Sequence, residues 1–138
     1  MRCAATRYVT LAVSLALAAT AQTVAGDWTS YGNARYNYWI DVPGDFSAIE
    51  ESANGDGGTA RSPDGNAKLA VWSVAYKRQK SNWAVWSGSK GDRVYYERAI
   101  PVCNDAVAYF RLEYDKAQAK TFDPIVTQLV KSLRSGDC

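Results

Sequence analysis

The hydrophobic pattern of this chain changes its period once, and that change limits the folds it can adopt. In residues 36–42 and 106–114, apolar side chains recur at every second position, as in a half-buried β-strand. After Asp123 they recur at helical spacing and form a single apolar stripe. Strands followed by one amphipathic helix indicate an α+β architecture. We therefore predict a twisted antiparallel sheet, arranged as a meander, with the C-terminal helix packed on one face.

Two further strand patterns lie between these segments. Residues 68–76 read as a strand whose apolar face includes Trp72 and Val74. Residues 83–87 and 93–100 read as a hairpin joined by a four-residue loop, Gly88-Ser89-Lys90-Gly91. Trp83 shares its face with Val85 in this pattern. We expect both Trp72 and Trp83 to pack in the core.

The predicted helix has recognisable ends. Asp123 is a favourable N-cap residue, and Pro124 follows at the first helical position, where the missing N–H costs nothing. Lys131 and Arg134 lie in the last turn, where cations suit the helix dipole. Gly136 is placed to end the helix.

The N-terminus has the anatomy of a secretory signal peptide. Arg2 and Arg7 precede a short apolar core at residues 9–19, and small residues follow it. The core is too short for a membrane anchor, because about 20 apolar residues are needed to span a bilayer. We therefore assign residues 1–25 to a cleaved signal and expect a periplasmic or secreted protein.

Cleavage after Ala21 or after Ala25 is equally compatible with the small-residue pattern. Cys3 precedes the apolar core, so it cannot become a lipidated N-terminal cysteine. The predicted mature chain, residues 26–138, has about 113 residues, which suits a single domain. After cleavage it is not expected to span a membrane.

The charge balance of the mature chain argues against nucleic-acid binding. The full sequence has 16 basic and 14 acidic residues, but Arg2 and Arg7 belong to the predicted signal. Without them the basic and acidic residues are equal in number. A neutral domain has no overall field to attract nucleic acid or an anionic membrane surface.

Two cysteines, Cys103 and Cys138, remain after signal removal. An even pair in an exported protein indicates a disulfide, which would pin the C-terminus to the body of the domain. Two free thiols are the alternative.

A series of short motifs runs through the chain: Asn33, Arg35, Tyr36, Tyr38, Ile40, Asp41, Pro43, Phe46, Asn54-Gly55-Asp56-Gly57, Ser62, Asp64-Gly65, Trp83, Ser87-Gly88 and 122–126. These motifs resemble those of small exported bacterial proteins of mostly unassigned function that have a PsbP-like fold. The resemblance spans residues 31–134 and implies a twisted antiparallel sheet with packed helices. It also implies a helix between Tyr76 and Trp83, where this chain has only the six-residue charged connection 77–82.

The residue types present leave few routes to catalysis. The sequence contains no histidine, the usual general base and the commonest metal ligand. Paired carboxylates remain an alternative, as in a glycosidase. Asn54 and Asp56 offer oxygen ligands for a weak calcium contact, although the spacing of an EF-hand is not met. We predict no cofactor and no catalytic residue.

Aromatic residues are the remaining distinctive feature. Trp39, Trp86, Tyr95 and Tyr109 are candidates for a partner-binding patch, because Trp, Tyr and Arg are common interface anchors. The alternative is that they line a second, helix-covered face of the sheet. We predict a non-enzymatic exported protein that binds another envelope macromolecule, as an adaptor, inhibitor or immunity-type factor. A glycan- or peptidoglycan-binding protein, a carboxylate-dependent hydrolase and a purely structural envelope component are the alternatives.

Overall fold

A computed structural model describes residues 26–75 and 84–138 of this protein. The signal peptide predicted for residues 1–25, the charged connection 77–82 and Trp83 lie outside the described residues. Within them the chain forms nine strands, a 3-10 turn and one α-helix, which confirms the α+β class. In this part of the chain, no helix is long and apolar enough to cross a bilayer.

The strands form two separate antiparallel sheets. In chain order they are β1 (Trp28–Asn33), β2 (Tyr38–Pro43), β3 (Glu50–Glu51), β4 (Gly58–Arg61), β5 (Lys68–Ala75), β6 (Ala84–Lys90), β7 (Arg93–Val102), β8 (Ala106–Asp115) and β9 (Arg134–Ser135). The three-stranded sheet has the order β1-β2-β9, and the six-stranded sheet has the order β3-β4-β5-β8-β7-β6.

The predicted single meander is therefore wrong. β2 belongs to the smaller sheet, and β5 pairs with β8 and not with the next strand along the chain. The β5–β8 pairing extends over eight residue pairs, from Lys68 opposite Glu113 to Ala75 opposite Ala106. Such a long ladder satisfies many backbone groups at once, so it overrides the tendency of sequential strands to be neighbours.

One core lies between the two sheets and the helix. The alternation predicted for β2 and β8 is confirmed, because its apolar positions are almost completely buried. The helix α1 (Ala119–Ser132) contributes to the same cluster. The largest members are Tyr38, Ile40, Leu69, Val71, Phe110, Leu112, Tyr114, Phe122, Val126 and Leu129.

The core face of β5 is the opposite of the predicted one. Leu69, Val71 and Ser73 are buried, whereas Val74 is exposed and Trp72 is only partly buried. This strand is apolar on both faces, so period-two alternation does not identify the buried face. The buried hydroxyl of Ser73 donates a hydrogen bond to the carbonyl oxygen of position 107 (2.8 Å), which removes the cost of burying it.

The hairpin turn is shorter than predicted. β6 and β7 remain paired as far as Lys90 opposite Arg93, so a two-residue turn replaces the four-residue loop. Gly91 has φ of 59° in this turn, a conformation that glycine adopts without steric cost. Gly88 lies in the strand itself. Val85, expected on a core face, is 49% exposed because β6 is the edge strand.

The helix begins five residues before its predicted first residue, Pro124. The 3-10 turn Lys116–Gln118 follows β8 directly and leads into α1. Phe122 is buried against Tyr114 in β8, with ring centroids 5.0 Å apart. This contact stabilises a helix that begins before Pro124. Asp123 is not a cap, since its carboxylate accepts a hydrogen bond from the Tyr114 hydroxyl (2.6 Å).

The helix also ends earlier than predicted, and the last residues connect the two sheets. After Ser132 the chain turns into β9, which pairs with β2. The sulfur atoms of Cys103 and Cys138 are 2.10 Å apart, at disulfide distance, and Cys103 follows a strand of the six-stranded sheet. Asn37 holds the same tail through a hydrogen bond from its amide to the carbonyl oxygen of Asp137 (2.8 Å).

Candidate functional site

The loop suggested for a weak calcium contact is closed on itself. The Ser52 hydroxyl lies 2.7 Å from the Asp56 carboxylate, and the Asn54 amide donates to the other oxygen of the same carboxylate (2.8 Å). No group of three or more Cys, His, Asp or Glu residues suited to a metal occurs in residues 26–75 and 84–138. The calcium contact stays a prediction.

The motifs that carry the family resemblance contact each other. Asn33 donates to the carbonyl oxygen of Gly55 (3.0 Å), and the Tyr38 hydroxyl donates to that of Asp56 (2.9 Å). Arg35 donates to the carbonyl oxygen of Asn54. These bonds fix the glycine-rich loop against the three-stranded sheet. The motif residues therefore have a structural role here.

Three of the four predicted surface aromatics share one face of the six-stranded sheet. Trp86 pairs with Glu97 across β6 and β7, and Tyr109 pairs with Ala99 across β7 and β8. Residues in direct register share a face, and alternate positions of a strand also do. Tyr95 therefore lies on the same face, which is opposite the buried core.

Trp72, which the sequence placed in the core, belongs to this surface. Its ring stacks on that of Tyr109, with centroids 5.1 Å apart and planes at 4° to each other. The outward position of Trp72 follows from the pairing of β5 with β8, which puts Trp72 opposite Tyr109. The sequence does not show this pairing. We call this surface the outer aromatic face; its members are Trp72, Trp86, Tyr95, Glu97, Tyr109 and Arg111.

Arg111 lies at the centre of the outer aromatic face. Its guanidinium is 4.1 Å from the centroid of the Tyr95 ring, which is a cation–π contact. Its Nε is 3.4 Å from a carboxylate oxygen of Glu97. Trp86, which pairs with Glu97, is 47% exposed. A charged pair thus lies among aromatic rings on a surface formed by paired strands.

A glycine makes room for one of these rings. A Cβ placed on Gly88 would lie 2.5 Å from the Tyr95 hydroxyl oxygen and 2.6 Å from its Cζ. The Tyr95 ring therefore occupies the space that a side chain at position 88 would take. Aromatic rings that cover a glycine of the neighbouring strand compensate for the missing side chain.

A polar cluster borders the outer aromatic face where β8 ends. Arg93 contacts Asp115 (2.9 Å) and Glu113 (3.4 Å). Hydrogen bonds from Asn66 and then from Arg93 lower the pKa of Asp115. Arg93 therefore offsets one of the two carboxylates, and the cluster keeps a net charge of −1.

The nearby turn contains a second perturbed carboxyl. Hydrogen bonds from the Ser62 hydroxyl, the Asn66 backbone and the Gln118 amide lower the pKa of Asp64 to about 2. A general acid at neutral pH needs a raised pKa. Asp64 and Asp115 are both shifted in the opposite direction, so neither is suited to act as the general acid of a carboxylate-dependent hydrolase.

Trp39, the fourth predicted residue, lies apart from the other three. It is 43% exposed on the three-stranded sheet, opposite Arg134 of β9 and Gly32 of β1. It lines an open depression, which we call the Trp39 depression. The depression is formed by Ser30, Asn37, Trp39, Arg134, Ser135, Gly136 and Asp137.

No protein-family model matches this sequence, and no curated protein is detectably similar to it. The structure is similar to the solution structure of cyanobacterial PsbP (CyanoP) from Synechocystis sp. PCC 6803. The TM-score is 0.53 at 10% sequence identity, over 87% of this chain and 99% of that chain. At this identity the likeness establishes a PsbP-like fold, which confirms that part of the resemblance.

Proposed function

We propose that this protein is a non-enzymatic exported protein that binds another protein of the cell envelope, as an adaptor, inhibitor or immunity-type factor. The observation that carries the proposal is the outer aromatic face, where Trp86, Tyr95 and Arg111 lie together on neighbouring paired strands. Residues of these types supply most of the binding energy in protein interfaces. The described residues place no helix over this face.

The composition of the face suits a protein partner. Trp72 and Tyr109 form a stacked base, and Trp86 stands exposed near the edge of the sheet. Arg111 already forms an ion pair with Glu97. A protein that covers the face would therefore not bury an unpaired charge at this position. Binding through such a surface depends mainly on shape and apolar contact, and only weakly on ionic strength.

The lack of histidine supports a binding role. The sequence has no histidine, and the sulfur atoms of Cys103 and Cys138 lie at disulfide distance. The usual Ser-His and Cys-His nucleophile pairs therefore cannot form. The similarity to cyanobacterial PsbP supports a shared scaffold, on which this chain carries its own surface residues.

The test uses the mature protein immobilised and exposed to envelope extract of its own organism, at low and at physiological salt. We expect one retained protein at both salt levels. Trp86→Ala is expected to weaken its binding about 30-fold, which corresponds to about 2 kcal/mol.

Trp39→Ala is the matched control, because Trp39 is equally exposed but lies on the other sheet. It should leave retention unchanged. Equal loss in both variants, or retention only at low salt, would contradict the assignment of the outer aromatic face as the binding surface.

A further inference from the structure

We propose that the Trp39 depression is a binding subsite for an uncharged saccharide ring. The first support is the way Trp39 is held. A Cβ placed on Gly32 would lie 2.4 Å from Trp39 Cζ3 and within 2.7 Å of two more ring carbons. The ring therefore lies against the backbone of β1, and its position is fixed before any ligand arrives. A preorganised platform costs little conformational entropy on binding.

The second support is a set of hydrogen-bonding groups beside this ring. Arg134 pairs with Trp39 across β9 and β2, and its guanidinium reaches along the same face. It is 3.4 Å from a carboxylate oxygen of Asp41 and 3.4 Å from the Ser30 hydroxyl. Contacts of this length are at the weak end of hydrogen bonding, so ligand hydroxyls replace them at little cost.

The position of the guanidinium is nevertheless maintained without these two contacts. Arg134 also donates to the carbonyl oxygen of Ser132 at 2.8 Å, which ties it to the end of the helix. The remaining N–H groups of the planar guanidinium are donors in a fixed geometry. The depression thus offers a fixed donor and a serine hydroxyl next to one aromatic ring, and the Asp41 carboxylate lies beside the guanidinium.

The charges select an uncharged ligand. The positive charge of Arg134 is offset by Asp41, and Asp137 also lines the depression. A phosphate or carboxylate ligand would meet a guanidinium whose charge Asp41 already offsets. A pyranose ring with equatorial hydroxyls has an apolar C–H face and a polar rim, which match the indole and its polar surroundings. Few polar groups around an apolar contact are typical of small-ligand sites.

A protein partner suits this surface less well than it suits the outer aromatic face. Among the described residues that line the depression, Trp39 is the one exposed aromatic side chain, whereas binding hot spots of protein interfaces occur in clusters. The saccharide subsite lies on a different sheet from the proposed protein-binding surface. It therefore stands or fails independently of that proposal.

The test is an NMR titration of the mature, oxidised protein with chitotriose and cellotriose, whose pyranose rings have equatorial hydroxyls. Concentrations of about 10 mM exceed the Kd of about 1 mM expected for one stacking contact. We expect saturable shifts of the Trp39 indole N–H and the Arg134 Nε–H, with the Trp86 indole unchanged. Glycerol, a polyol without a ring face, should produce no saturable shift.

Gly32→Ala is the sharpest variant, because it displaces the Trp39 ring while keeping every proposed ligand-contacting side chain. We expect affinity to fall at least about tenfold, with thermal unfolding measured in parallel. If that variant unfolds, Trp39→Ala removes the platform instead and should abolish the shifts. An unmoved Trp39 signal, shifts confined to Trp86, or undiminished binding by Trp39→Ala would overturn the proposal.

Discussion

The two sheets of this protein each lay an aromatic ring over a glycine of a neighbouring strand, yet they build different surfaces from it. Trp39 covers Gly32 in the three-stranded sheet, and Tyr95 covers Gly88 in the six-stranded sheet. In both strand pairs, the ring packs in the space that a glycine leaves on the neighbouring strand. What differs is the neighbourhood, because long strands surround Tyr95 and only two residues of β9 flank Trp39 on one side.

This difference determines which side chains each surface offers for binding. On the six-stranded sheet, β5 and β8 bring further aromatics and Arg111 next to Tyr95. On the three-stranded sheet, Trp39 lies opposite Arg134, which in turn contacts Asp41 and Ser30. A large sheet therefore clusters rings, whereas a small one leaves a single ring among polar groups. The three predictions below test how far the two surfaces are independent.

The largest effect is expected from removing the cysteine pair. Cys103→Ala with Cys138→Ala should lower the free energy of unfolding by about 2 to 5 kcal/mol, because the unfolded chain gains entropy when the loop opens. β9, which pairs with the strand of Trp39, lies just before Cys138 in the chain. We therefore expect the NMR signal of the Trp39 indole N–H to shift and that of Trp86 to stay unchanged. Denaturant unfolding and NMR spectra measure both effects. Equal shifts at the two tryptophans would show that the surfaces are coupled.

A smaller effect separates the base of the outer aromatic face from its exposed rim. Trp72→Ala should cost about 2 kcal/mol of stability, because it removes a half-buried ring stacked on Tyr109. Trp86→Ala should cost about 0.5 kcal/mol or less, as expected for an exposed side chain. Chemical denaturation of both variants provides the comparison. A cost for Trp86→Ala as large as that for Trp72→Ala would mean that Trp86 is a packing residue.

The smallest effect compares the two arginines by double-mutant cycles. Arg111→Met with Tyr95→Leu should reveal a coupling energy of about 0.5 to 1 kcal/mol, because the guanidinium lies 4.1 Å from the ring centroid. The matched cycle of Arg134→Met with Trp39→Leu should give a coupling near zero, since Arg134 is engaged by Ser132 and Asp41. Similar coupling in both cycles would remove the distinction between the surfaces.

Local patterns predicted the parts of the fold that depend on neighbours in sequence. The burial of Tyr38 and Ile40 follows from period-two alternation, and the helical stripe correctly gave Val126 and Leu129 a core position. The candidate site was predicted in part. Tyr109 and Trp86 share a face as a patch requires, but Trp39 is on the other sheet.

The errors arose where contacts between distant residues compete with local signals. Asp123 and Pro124 are good helix-start residues, but the packing of Phe122 on Tyr114 extends the helix before them. Gly88 reads as a turn residue, but the Tyr95 ring fills its missing side-chain space and keeps it in the strand. Tertiary packing commonly overrides such propensities.

The sequence by itself determined the α+β class, the alternation of β2 and β8, and the two cysteines available to pin the tail. Only the tertiary structure decided that the strands divide into two sheets and that Trp72 faces outward. The physical reason is that β5 is apolar on both sides, so its buried face is chosen by its pairing with β8. That pairing joins segments far apart in the chain, and no local hydrophobic period encodes it.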